Sequence, residues 1–238
     1  MRHRPLIGFL FLLILLLLIM GNYIHLIRMQ RDSNSINLVT QVLKSKFTIL
    51  IEVDKKQLSL IDRENEQTIK TYQVATGKAS SPTPLGSFNI SEKASWGEGF
   101  GSRWLGLDVP WGIYGIHGTN QPGSIGGNVS GGCIRMQNHD IEELYDLIST
   151  NTNVLITNGD YGPFGNDFRV LKPGDRGSDV LEVQKRLSQL GYYKSNLDGI
   201  YGDLMKRALI NFLRDRNVAL TDKITEDIYE KLGIILMD

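Results

Sequence analysis

A single cysteine, Cys133, stands in the 238-residue sequence, and His117 precedes it by sixteen positions. A thiol attacks a carbonyl only as thiolate, so its pKa must be lowered from about 8.5 by a base, a cation or backbone amides. The chain between the two residues is rich in Gly and contains Pro122, so it can fold back on itself. Imidazole and sulfur would then meet as base and nucleophile. Ser130-Gly131-Gly132 lets the amides of Gly131, Gly132 and Cys133 point at one spot, where a tetrahedral oxyanion needs donors. Arg135 offers a planar fork for a substrate carboxylate, or equally a salt bridge within its own loop. The competing reading of these residues is a Gly-rich surface loop around a buried Cys and a hydrogen-bonded His. An intrachain disulfide is excluded by counting.

The elements that must hold these residues read as mainly β. FTILIEV (47–53), QLSLID (57–62) and QTIKTYQVAT (67–76) alternate as strands do, and SFNISE (87–92) follows a Pro-rich corner. Residues 104–109, 112–116 and 153–157 fit further short strands. Ile141, Leu144, Tyr145 and Ile148 lie at helical spacing, with Asn138 or Asp140 placed to cap the start. Beyond a Gly/Pro-containing linker the pattern turns helical. Val180, Val183, Leu187 and Leu190 line one helix, Leu204, Ala208, Leu209, Phe212 and Leu213 a second, and Ile224, Ile228 and Leu232 a third, which makes a small bundle.

The motif from Ile116 to Met136 resembles the active-site signature of the L,D-transpeptidase family, the YkuD-type catalytic domain. Its segments here are His117-Gly118-Thr119, Ser130-Gly131-Gly132-Cys133 and Ile134-Arg135-Met136, with Pro122, Ser124, Ile125 and Gly126 between. Ala75-Thr76-Gly77 followed by Thr83-Pro84-Leu85-Gly86-Ser87-Phe88 is similar to the family's upstream stretch. Many members carry His where this chain has Gly131, and the resemblance assigns the base to the upstream His117. It implies a β-sandwich-like domain with one packed helix, in which Cys133 is acylated by a peptidoglycan stem peptide and no metal or organic cofactor is needed. Ser130, Gly118, Thr119 and Arg135 are the residues placed for substrate contact. The expected activity is 3-3 cross-linking. Hydrolysis by the same thioester (an L,D-carboxypeptidase) and a non-catalytic membrane-to-wall tether are the alternatives. From Leu171 the chain resembles the peptidoglycan-binding-domain-1 family, through Gly174, Gly177, Val183-Gln184, Leu190-Gly191-Tyr192 and Asp198-Gly199-x-Tyr201-Gly202.

The apolar run Leu6–Met20 follows Arg2 and Arg4 and is long enough, continued to Ile27, to cross a hydrocarbon core as a helix. A cleaved signal peptide would look alike, but no small-x-small site follows. The expected organisation is therefore a signal anchor at 1–30, a stalk at 31–45, the catalytic domain at 46–158, a linker at 159–169 and a three-helix module at 170–238. Both domains would lie outside the cell membrane, with peptidoglycan peptides and glycan as partners. With 26 basic and 26 acidic residues and no basic stripe, a nucleic-acid partner is disfavoured. The oligomeric state is open.

Overall fold

The structure, a computed structural model, describes residues 20–23, 46–95 and 99–236. Met20–Tyr23 is helical; the rest of the expected anchor, the stalk and Trp96 lie outside the described residues. Among the described residues no helix is long and apolar enough to cross a membrane.

The described residues form ten strands: β1 (Phe47–Glu52), β2 (Gln57–Asp62), β3 (Gln67–Gln73), β4 (Thr76–Gly77), β5 (Gly86–Ala94), β6 (Trp104–Leu107), β7 (Tyr114–His117), β8 (Asn128–Ser130), β9 (Ile134–Arg135) and β10 (Asn153–Thr157). Eight of them share one mixed sheet in the order β3-β2-β1-β10-β5-β6-β7-β9, and β4 pairs with β8. The mainly β domain is thus one curled sheet with a small ribbon, in place of the two facing sheets of the expected sandwich. Strand β5 makes the curl. Its first residues pair with β10 and its last with β6, and the register shifts between Ile90 and Glu92. A bulge of this kind bends the strand and raises its twist, which turns one half of the sheet towards the other.

Alternation fixes the inner face. Ile49, Ile51, Leu58, Leu60, Phe88, Ile90, Val154 and Ile156 all point into one core. Each fully buried Ile or Leu there contributes about 2 kcal/mol through removal from water. Helix α1 (Asn138–Leu147) closes the core with Ile141 and Leu144. Neither Asn138 nor Asp140 caps it. The cap position is Gln137, without a side-chain bond, and the Asn138 amide oxygen instead accepts from the backbone of Ser102 at 3.2 Å. Its side chain ties the helix start to the loop before β6.

The remaining helices are α2 (Ser178–Gln189), α3 (Asp203–Asp215) and α4 (Glu226–Leu232), around a separate core. On α3 the inward residue is Met205, which is fully buried, whereas Leu204 is 51% exposed. One position along a helix is a turn of about 100°, so the apolar stripe runs through 205, 208, 209 and 212. Ile224 is buried but precedes α4, bridged to Leu171 as a β pair. Gln184 is the keystone of the module. Its amide nitrogen donates to Asp198 at 2.8 Å and to the Ile200 carbonyl at 3.0 Å, and its oxygen accepts from the Gly199 amide at 2.7 Å. Residues 161–168 pack onto this module, with the Phe168 ring stacked on Tyr229 at 4.2 Å.

Sheet and bundle are docked. Ser178 donates its hydroxyl to the Leu85 carbonyl, and Leu181 and Ile200 pack against the sheet's core. Trp111, 5% exposed, lies so close to Gly199 that a Cβ there would strike its ring.

Candidate active site

Strand pairing brings His117 and Cys133 together. Strands β7 and β9 run parallel with Ile116 opposite Ile134 and His117 opposite Arg135. Cys133 lies two residues before Arg135, so it shares the sheet face of Arg135 and His117. Strands about 4.8 Å apart and a rise of about 3.3 Å per residue put the Cα atoms of 117 and 133 roughly 8 Å apart on the diagonal. Gly115 stands beside Cys133 on β7, and its amide faces the sulfur.

His117 is only 4% exposed. Its Nδ1 donates to the Gly118 carbonyl at 2.6 Å, which fixes the tautomer and leaves Nε2 as the acceptor. Trp104, opposite it on β6, stacks on the ring at 5.8 Å, and Phe100 meets it edge-on at 5.0 Å. The Trp104 indole is held by Glu92, which accepts its N–H at 2.8 Å. Burial pushes the imidazole pKa below its ordinary value. The Gly118 carbonyl opposes this, the Arg135 charge adds to it, and the Phe100 carbonyl opposes it again.

Burial pushes the Cys133 thiol above its ordinary value, against the pull of the Gly115 amide and Arg135. Both directions favour the uncharged forms, imidazole and thiol. Arg135 is half-buried beside both groups, and its guanidinium has no ion-pair or hydrogen-bond partner among the described residues. Of its two expected uses, the salt bridge within the loop is not formed.

Several other expected roles change. The Ser130 hydroxyl donates to the Cys133 carbonyl at 2.6 Å and accepts from the Gly132 amide at 3.0 Å. Ser130 is therefore spent on shaping the turn and has no donor left for substrate. For the same reason the Gly132 amide is not free to meet an oxyanion, which leaves those of Gly131 and Cys133. Gly132 itself has φ +118°, a left-handed value that glycine tolerates, and it packs on the Tyr114 ring. Gly118 is buried against Asn138 and Ile141, and Thr119 is 6% exposed with its hydroxyl accepting from the Gln121 amide at 3.1 Å. Both position the His117 turn in place of the substrate contacts expected of them. Gly131 is exposed, with open space where a Cβ would stand. Trp104, Phe100, Glu92 and Gly115 were missed by sequence reasoning as parts of the site. The hairpin spacing that sets Trp104 opposite His117 was the available signal.

Residues 46–156 match the family model described as the L,D-transpeptidase catalytic domain (YkuD), and residues 176–232 match one described as "Putative peptidoglycan binding domain". The chain thus carries a YkuD-type L,D-transpeptidase catalytic domain followed by a peptidoglycan-binding-type module. Among curated proteins it is 42% identical over 112 residues to "Putative L,D-transpeptidase YkuD" of Bacillus licheniformis, and 42% over 111 residues to the protein of that name in Bacillus subtilis. The matches span 47% and 46% of this chain and 66% and 65% of those relatives, just under two thirds of their length. An L,D-transpeptidase structure from Mycobacterium smegmatis overlaps 48% of this chain and 59% of its own, at 21% identity and a TM-score of 0.41.

Proposed function

We propose that this protein is an L,D-transpeptidase that forms 3-3 peptidoglycan cross-links through a thioester on Cys133. The observation that carries the reading is the shared face of β7 and β9. There a half-buried thiol, a neutral imidazole whose Nδ1 is held by the Gly118 carbonyl, and a guanidinium unpaired among the described residues lie on neighbouring strand ends. His117 Nε2 takes the Cys133 proton as the sulfur attacks the carbonyl of the third stem residue. The amides of Cys133 and Gly131 hold the oxyanion. The C–N bond to the terminal D-Ala breaks, and its nitrogen leaves with the proton from His117. A side-chain amine of a second stem then attacks the thioester, gives its surplus proton to His117 and releases Cys133. Arg135 binds a stem carboxylate and orients the donor.

The apolar run at residues 6–20 anchors the protein with both domains on the outer side of the membrane. Protease treatment of intact spheroplasts should remove the domains, and full protection would refute that placement.

The activity is tested by incubating the full chain in detergent with purified disaccharide-tetrapeptide and analysing products by mass spectrometry. Cross-linked dimers with loss of one D-Ala are expected, and none with Cys133→Ala. Tripeptide monomers alone would replace transfer by hydrolysis. No product, together with a Cys133 inert to carbapenem and iodoacetamide, would leave a wall-binding tether.

A further inference from the structure

Sheet and bundle enclose a cleft of about 1000 Å³. The catalytic domain contributes Gly77–Leu85, Tyr114 and Asn128, and the bundle contributes Gly174–Asp179. We propose that this cleft is a second binding site, built jointly by the two domains, for the carboxylate-bearing peptide of a peptidoglycan fragment. The inference rests on the transpeptidase reading for the identity of the polymer, and on the cleft alone for the chemistry.

Three observations carry it. The first is charge. Lys78 from the sheet side and Arg176 from the bundle side both line the cleft, both are exposed, and neither has an ion-pair partner among the described residues. Arg169, also at the wall, is by contrast committed to Asp179, with contacts of 2.6 and 3.2 Å. Lys56 adds to the positive side, and Asp54 and Asp175, the latter 3.8 Å from Arg169, oppose it. This leaves Lys78 and Arg176 as the cations free for an occupant among the described residues. An occupant with free carboxylates would satisfy one cation from each domain.

The second observation is the rest of the lining. Asn128 and Asn158 supply amide groups, and Tyr114 and Phe164 supply rings. Sites that take amide-rich, partly apolar ligands combine a few polar groups with aromatic wall in this way, and this cleft is at the large end of the usual range of about 300–1000 Å³. A peptide several residues long fits it better than a single small molecule does.

The third is continuity with Cys133. The Lys78 amide and the Ser81 hydroxyl both donate to the Ser130 carbonyl, at 3.1 and 3.4 Å. Gly132 packs against Tyr114 and the Pro82 carbonyl. The cleft wall is thus the reverse side of the turn that presents the sulfur. A stem held there belongs to the same polymer segment that the thiol acts on, and the bundle becomes part of the substrate site.

The test uses the full chain carrying Cys133→Ala, titrated with disaccharide-tetrapeptide by calorimetry. Arg176→Glu and Lys78→Glu should each weaken binding about tenfold, the loss of one charge-assisted contact. A fragment with amidated carboxylates should bind the parent chain just as weakly and lose nothing further in either variant. In the chain retaining Cys133, the same substitutions should raise KM about tenfold while kcat stays within about twofold. Arg176→Gln, with its milder change, guards against a misfolded reversal, and melting temperatures check all variants. Equal binding by parent and variants overturns the proposal. So does equal displacement by a glycerol phosphate polymer, which would mark a site for any anion. Cleft-dependent binding without dimer or tripeptide products would leave the site standing and refute the transpeptidase reading instead.

Discussion

Replacing Gly115 by Ala should damage the site through a single methyl group. A Cβ at 115 would stand 2.6 Å from Cη2 and 2.7 Å from Cζ2 of Trp104, and 2.7 Å from the Leu105 carbonyl, where ordinary contact begins at 3.4 Å. The neighbours must therefore withdraw by about 0.7–0.8 Å, the difference between those values. The carbonyl belongs to the β6–β7 ladder and cannot move alone. The indole is 3% exposed, bonded to Glu92, stacked on His117 and braced by Phe100 at 5.2 Å. Overpacking of this kind costs about 1–3 kcal/mol, and a disturbed ring pair adds about 0.5–1.5 kcal/mol. At about 2–4 °C per kcal/mol for a chain of this size, the melting temperature should fall by roughly 3–18 °C. Because the displaced indole carries His117 with it, acylation of Cys133 should slow about a hundredfold, as expected for a misplacement near 1 Å. Calorimetric melts and the rate of carbapenem acylation measure the two effects. Adding Trp104→Phe removes the obstructing ring atoms and should recover about 1 kcal/mol or more, the Leu105 contact remaining. A Gly115→Ala chain that melts and reacts like the parent would refute the packing argument. A double variant no better than the single would refute the part assigned to Trp104.

The buried, neutral His117 makes stability pH-dependent. The unfolded imidazole titrates near 6.5 and the folded one lower. Below about pH 6.5 the unfolded chain therefore gains a proton that the folded chain refuses, and stability falls until the folded value is passed. Urea midpoints between about pH 4 and 7.5 should show a drop in the parent that His117→Gln lessens; identical profiles would contradict the burial argument. Gln184→Leu leaves the Gly199 amide without its acceptor and strips a donor from Asp198, at a cost of about 2–4 kcal/mol. Amide exchange should quicken across residues 171–232 while β1 and β10 stay protected, and uniform protection would refute the keystone role. Gly131→His meets nothing within 4 Å of its Cβ, so its melting temperature should stay close to the parent's, within about 0.5 kcal/mol of stability. A large fall would show the space to be closed.

Much of the fold was legible because its signals are local. Alternation in β1, β2 and β10 survives in single strands, and the face of α2 follows from spacing. The motif around Cys133 was legible for the same reason: it is continuous in the chain. Strands β8 and β9, of three and two residues, are too short for any period to show. The curl of the sheet depends on a bulge in β5, and no composition marks it. The Leu204 misplacement shows how little separates neighbouring helical positions when both are apolar. Inside the site, Ser130, Gly118 and Thr119 were assigned to substrate because small polar residues and glycines near a nucleophile suit either role. Only the hydrogen bonds of the folded turn reveal that the Ser130 hydroxyl is already spent. Trp104 and Gly115 needed the β6–β7 register, which pairs residues thirteen and nine positions apart.

The contact of Ser178, Leu181 and Ile200 with the sheet changes what a wall-binding bundle means for such an enzyme. A head on a loose string samples a volume set by the string's length. Under the proposed activity, these contacts would give the sulfur a set bearing relative to whatever the bundle grips. Strands lying at that angle would be joined repeatedly while others, equally near, are passed over, so the pattern of bonds in the polymer would carry the imprint of how two folds were fastened together.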